Sequence, residues 1–222
     1  MKEFNRLLKT VRILRSPKGC PWDRAQKIKN MEKFLLEEVY EFIDAVDKKD
    51  AMSAKEELGD IFLILVVIAE MFRHKRKFNL REVFTAINDK LISRHPHVFG
   101  NKKLKNKEEV LRHWVNHKAQ QKKRRSIKER LSETMPALLL ADIFFKELSY
   151  LGGENFKKTS CAKPYADLKA KVKTLGQSKN VEKVLSGIVF DLANIAHRKG
   201  VNLETAIRRA ILKQAEKTGY NI

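Results

Sequence analysis

The sequence predicts an all-α protein made of tandem helical-bundle domains. Three observations carry that expectation. Apolar residues recur at intervals of three and four along most of the chain, no alternating strand pattern of useful length interrupts them, and the pattern starts again near residue 131. With 222 residues, 43% of them hydrophobic, each half has enough apolar material to form a core. The expected division is residues 1–125 and 131–222.

A short amphipathic helix covers about residues 4–14. The stretch "SPKGCPWD" then reads as a turn-rich loop, with Asp23 as the N-cap of the next helix. Met31, Leu35, Phe42 and Val46 recur at helical spacing and predict a helix over 27–46, and "DKKD" (47–50) turns the chain. Helices continue at about 53–73 and 80–94, the second ended by Pro96, which cannot continue the hydrogen-bond ladder. A further helix over 107–123 runs into the dense basic stretch "KAQQKKRRSIKER" (118–130). In the second half the pattern predicts helices at 137–151, 165–174, 181–198 and 203–217.

The two halves echo each other. "GDIFLILVVIAEMF…NLREVFTAINDK" lies over "SGIVFDLANIAHRK…NLETAIRRAILK", with Ile68-Ala69 on Ile195-Ala196 and Asn79-Leu80 on Asn202-Leu203. This is a divergent internal repeat.

Several classes are set aside by composition. The longest apolar run, residues 61–69, ends at Glu70, well short of the ~20 residues needed to cross a bilayer. Charges are scattered through the first 19 residues without the apolar centre of a signal peptide, so the expected compartment is the cytoplasm, with no membrane partner. Cys20 and Cys161 are far apart, lack CxxC spacing and read as free thiols. The formal charge of +20 suggests affinity for polyanions, yet the basic residues are spread along most of the chain and not set among aromatics in a stripe. Nucleic-acid binding therefore stays an alternative.

The chemistry-bearing residues are acidic. Glu38 and Glu41 in "LLEEVYEF" stand three apart, as do Glu57 and Asp60 in "EELGD". Three residues span about 300° of helical rotation, so each pair projects from one side, one turn apart. The turn at 47–50 makes the two helices an antiparallel hairpin, which brings Glu41 level with Glu57 and Glu38 level with Asp60. On a helical wheel Glu38 falls beside Met31, Phe34 and Phe42, while Lys33, Glu37 and Asp44 take the wet side. The helix after Asp60 is apolar nearly all round, the pattern of an element covered on every face. Two such carboxylates ~6 Å apart repel by roughly 3 kcal/mol at an effective dielectric near 20. Protonation or a cation must relieve that repulsion. An all-oxygen set without His or Cys suits a hard ion, Mg²⁺ or Mn²⁺. ExxE and ExxD also decorate solvated helix faces, and it is the matched heights and apolar flanks that point to a metal site.

Lys90 and Arg94, one turn apart, could hold triphosphate oxygens or simply snorkel over the core rim. Trp22 could stack on a base or plug the start of the helix. His113 and His117 have the i,i+4 spacing of a zinc pair but no third ligand in view.

"GCPWDRAQ", "LLEEVYEFIDAV", "EELGDIFLILVVIAEMF" and "INDKLISRHPHVFG", followed by "RHWVNHK", together resemble MazG, the all-α nucleoside triphosphate pyrophosphohydrolase family, over about residues 19–118. The resemblance implies Mg²⁺-dependent hydrolysis of nucleoside and deoxynucleoside triphosphates to the monophosphate and pyrophosphate, in a homodimer of helical bundles that carries two copies of the domain. It places the family's metal ligands on Glu38, Glu41, Glu57 and Asp60, and its phosphate-contacting positions on Lys90 and Arg94. The mechanism expected for such a site is in-line attack of metal-activated water on the α-phosphorus, with a carboxylate not saturated by metal, Glu41 or the adjacent Glu37, as general base. The second copy departs from this pattern. Val184 and Gly187 stand at its ExxD positions and lysines fill the preceding helix, so any catalysis is expected in the first copy. The competing readings are a helical nucleic-acid- or partner-binding protein with a structural metal, and a dimeric regulator that binds nucleotides without cleaving them.

Overall fold

A computed structural model of the chain describes residues 2–104, 106, 109–110, 113, 127–151 and 162–218. Two compact units result, Met1–Leu104 and Lys105–Ile222. Among the described residues there is no strand, and no helix is long and apolar enough to cross a membrane.

The first unit contains α1 (Lys2–Leu14), α2 (Pro21–Ala25), α3 (Ile28–Asp47), α4 (Ala51–His74), α5 (Leu80–Arg94) and α6 (Pro96–Phe99). Its centre is the α3–α4 hairpin. The connecting turn places Lys49 at φ 59, and the Asp50 carboxylate then caps α4 by accepting from the Met52 and Ser53 amides at 3.0 and 3.1 Å. A core of Val11, Met31, Ile64, Val66, Val67 and Met71 joins α1, α3 and α4. Asn79 opens α5 with a capping box, its side chain bonding the Glu82 amide while the Glu82 carboxylate returns to the Asn79 amide.

Asp23 is not the N-cap of the long helix. Pro21 starts a separate short helix that contains Asp23, and Lys27 occupies the N-cap of α3. Proline suits a first helical turn because the amide it lacks has no intrahelical partner there. Gly19, just before it, permits a tight approach: a Cβ would lie 2.2 Å from the Leu14 carbonyl oxygen. Only glycine fits that position.

One carboxylate lies deep in this unit. Glu70 on α4 is 1% exposed, and α1 supplies its main counter-charge. Arg12 donates from Nε and Nη2 to its two oxygens, each at 3.1 Å, and Arg73 Nε adds a third bond at 2.7 Å. Burial alone would raise the Glu70 pKa, but the bonds and charges of the two arginines outweigh it and hold the carboxyl below its ordinary value.

The second unit contains α7 (Ile127–Arg130), α8 (Ala137–Leu151), α9 (Ala162–Thr174), a single 3-10 turn (Leu175–Gln177), α10 (Val181–Arg198) and α11 (Leu203–Thr218). α9 and α10 pack as a hairpin, and α10 packs on α8, where Phe145 is buried. α8 and α10 are tied by His197 Nδ1 and an Asp142 carboxylate oxygen 2.9 Å apart. Most of the expected helix at 107–123, the basic stretch up to Ser126, His117 and Cys161 lie outside the described residues.

Candidate active site

The α3–α4 hairpin gathers the acids because both its helices begin and end where the sequence places them. One carboxylate oxygen from each of Glu38, Glu41 and Glu57 lies within 4.8 Å of the others. Glu38 and Glu57 are half-buried, and Glu41 is exposed. Glu57 stands close enough to Glu38 to share a hydrogen bond with it when one of the two is protonated. Burial, that bond, and repulsion from Glu41, Asp60 and Glu57 push the Glu38 carboxyl up from 4.5 to about 7. The cluster is electrostatically loaded near neutrality.

Asp60 is half-buried one turn beyond Glu57 and lies outside the three-acid group, but it joins Glu38 in lining the adjoining cavity. This cavity, about 230 Å³, has apolar walls from α1, α3 and α4, including Leu14, Phe34 and Leu63. Arg15, Asp23 and Gln26 add polar edges. Its volume is below the ~300–1,000 Å³ typical of pockets that enclose a whole drug-sized ligand. Glu38 and Asp60 stand in its wall, so the cavity opens beside the acids.

Trp22 stands at the cavity rim, 59% exposed, with its ring centroid 6.1 Å from that of Phe34. It is not buried beneath the helix start. Gln26 is already engaged, donating to the Trp22 carbonyl at 3.2 Å and accepting from Asn30 at 3.1 Å. Arg15 donates to the Asp23 carbonyl, which fixes the loop before α3. Glu37 is exposed and outside the acid group. Lys90 is exposed and Arg94 half-buried on α5, and neither lines the cavity. Sequence reasoning did not place Asp23 and Gln26 at the site. Their signal is the four-residue spacing from Trp22 to Gln26 across "GCPWDRAQ", which keeps them beside the same cavity.

The donor set suits a hard cation. Glu38, Glu41 and Glu57 supply oxygen only, and the upward push on the Glu38 carboxyl is the repulsion that a bound cation would relieve. No second group of this kind occurs among the described residues.

The matching hairpin of the second unit is built differently. The Lys171 ammonium on α9 lies 2.5 Å from the Asp191 carboxylate and 3.4 Å from the Gly187 carbonyl on α10. A lysine occupies the seam where the first unit gathers acids.

Residues 26–99 match the MazG nucleotide pyrophosphohydrolase domain. Over 219 residues the chain is 33% identical to the nucleoside triphosphate pyrophosphohydrolase/pyrophosphatase MazG of Thermotoga maritima, spanning 96% of this chain and 83% of that protein. The chain belongs to the MazG family. It is also 31% identical over 223 residues to the nucleoside triphosphate pyrophosphohydrolase of Escherichia coli K12, covering 95% of this chain and 83% of the relative. A further relative, the uncharacterized protein YabN of Bacillus subtilis, is 34% identical over 138 residues, which is 61% of this chain and 28% of that protein. The acid cluster of the first unit lies inside the MazG match; the lysine-bearing hairpin of the second lies outside it.

Proposed function

We propose that this MazG protein hydrolyses nucleoside or deoxynucleoside triphosphates to the monophosphate and pyrophosphate, and that the chemistry belongs to the first unit. The observation that supports this most directly is the meeting of Glu38, Glu41 and Glu57 within 4.8 Å, beside an apolar-walled cavity of about 230 Å³. The names of the Thermotoga and Escherichia relatives agree with it.

Glu38, Glu41 and Glu57 would hold a divalent ion, Mg²⁺ or Mn²⁺, with Asp60 completing the acidic wall. When bound, such an ion supplies Lewis acidity toward phosphate oxygens and lowers the pKa of coordinated water. The chain's own contributions are positional. Trp22 and Phe34 bracket the cavity mouth for the base, and the apolar walls exclude water from its face. Glu41, or the adjacent Glu37, orients a water and takes its proton as the oxygen attacks the α-phosphorus. The bond from that phosphorus to the bridging oxygen breaks, and pyrophosphate leaves. Lys90 and Arg94, which do not line the cavity, would offset the charge of the departing pyrophosphate.

The protein acts as a homodimer. Leu58, Phe62 and Leu65 on α4 are 44–48% exposed, and Val83, Ile87 and Leu91 on α5 are 40–46% exposed. Two apolar helix faces with that much open surface call for a partner. The second unit is a MazG-like copy that keeps the helical scaffold without the acidic ligands, its Val184 and Gly187 standing where the first has Glu57 and Asp60.

Turnover in ¹⁸O-labelled water tests the reaction directly. The label is expected in the nucleoside monophosphate and absent from pyrophosphate. Inorganic phosphate as the product, or label in pyrophosphate, would contradict attack at the α-phosphorus.

A further inference from the structure

The first unit carries a second concavity, about 470 Å³, between α1, the end of α4 and the start of α5. It shares no lining residue with the active-site cavity, and its Arg73 lies 13 residues beyond Asp60, about 20 Å along the α4 axis. The residues Arg12, Arg73 and Arg81, each bearing a guanidinium, are among those that line it, with Asn5 and Asn88, in walls that are otherwise mainly apolar.

Two of these guanidiniums are held rigidly from behind. Glu70, 1% exposed, takes Arg12 Nε and Nη2 and Arg73 Nε, while the arginine side chains remain 49% and 39% exposed. Each guanidinium has five N–H donors in one plane, so the buried carboxylate uses only part of each fork and leaves donors for the groove. Glu82, whose carboxylate accepts from the amide of the lining residue Asn79 at 2.9 Å, is a second acid here, so three guanidiniums against two carboxylates leave one positive charge unbalanced. Arg81 is exposed and takes no part in the Glu70 network. Phe84, 43% exposed and 5.6 Å from Phe4 between ring centroids, supplies an aromatic wall.

Joining α1 to α4 does not itself require this polarity. In the register that aligns Ile68 with Ile195, Glu70 matches His197, whose partner on α8 is Asp142. The second unit thus makes the corresponding tie with the acid on the outer helix. In the first unit the acid is inside and the guanidiniums line a groove.

We propose that this groove is a binding site for phosphate groups, separate from the site of hydrolysis. Pre-aligned guanidiniums suit phosphate oxygens because they donate paired hydrogen bonds without first losing side-chain freedom. Two sources share that chemistry, inorganic pyrophosphate and the phosphates of a nucleotide, and the Phe84 ring distinguishes them by its capacity to stack on a base.

The test is calorimetric titration of the full chain in EDTA, where the unneutralised acids of the active site repel phosphate. Pyrophosphate and a nucleoside monophosphate are titrated in parallel. Binding of either is expected, weakened about 10-fold or more by Arg81→Ala, the loss of one charge-assisted contact, and unchanged by Glu38→Gln. Tighter binding of the monophosphate, lost in Phe84→Ala, identifies the nucleotide as the source; equal loss of both ligands on Arg81→Ala alone identifies pyrophosphate. Arg81→Ala is expected to leave turnover at low nucleotide concentration unchanged. Absence of binding by both ligands, or binding indifferent to Arg81→Ala, overturns the proposal.

Discussion

Glu38 has the most consequential titration in the molecule. Its carboxyl ionises near 7 instead of 4.5, so between those values the folded, metal-free protein binds more protons than the unfolded chain. Stability must then fall as pH rises across that window and level off above it. Thermal unfolding in EDTA is expected to show this decline, and Glu38→Gln should flatten it and raise the melting temperature above pH 7. Mg²⁺ should bind more tightly as pH rises to about 7 and release protons on binding, which calorimetry in buffers of different ionisation enthalpy will register. Glu70 behaves oppositely. Its depressed pKa gives stability that is complete above the ordinary carboxylate range and lost as acid protonates it. Glu70→Gln cannot satisfy two guanidiniums, and denaturant unfolding should show a loss of about 1–3 kcal/mol. The meeting of Glu38, Glu41 and Glu57 follows from three-residue spacing on adjoining helices, whereas Asp60, expected with them, lies outside their group. The Glu70 network was not legible in the sequence, since Arg12 lies 58 residues away and nothing local marks the pair.

At the scale of the element, α4 reconciles two demands. Its buried stripe, Ile64, Val67 and Met71, forms the core with α1 and α3, while Leu58, Phe62 and Leu65 stay open within a single copy of the unit. The apolar pattern suggested cover on every face, and the fold supplies it on only part of the circumference. Ile64→Ala should therefore cost about 2–5 kcal/mol in urea unfolding, as large-to-small changes in a core do. Phe62→Asp should leave helicity intact and shift the sedimenting species toward the monomer; a dimer that survives it would place the interface elsewhere. Helix limits were well marked where proline or a capping residue stands, as at Pro96 and Asp50. They were misread at Asp23, where a plausible N-cap residue sits inside a short helix that Pro21 begins. Local hydrogen-bonding preference alone cannot tell a cap from a first-turn acid, because both positions favour Asp.

Across the whole molecule, two units share a helical plan and differ in what fills the central seam of each hairpin. The first gathers Glu38, Glu41 and Glu57; the second sets Lys171 against Asp191. Lysine is a permanent, covalently attached counter-charge, and a metal ion is an exchangeable one. Lys171→Ala should lower the stability of the protein and leave nucleotide turnover unchanged. The sequence shows an echo of Ile68-Ala69 in Ile195-Ala196, but it does not show the pairing of Lys171 with Asp191, which depends on how α9 lies against α10. The acids of the first unit carry the proposed reaction. Its most direct test is Mg²⁺-dependent pyrophosphate release from nucleoside triphosphates by the purified chain and by Glu38→Ala and Asp60→Ala, with circular dichroism confirming the fold. The expected result is turnover by the wild type and a loss of 100-fold or more in each variant, on the order of 3 kcal/mol in activation free energy; unchanged turnover in both variants would contradict it.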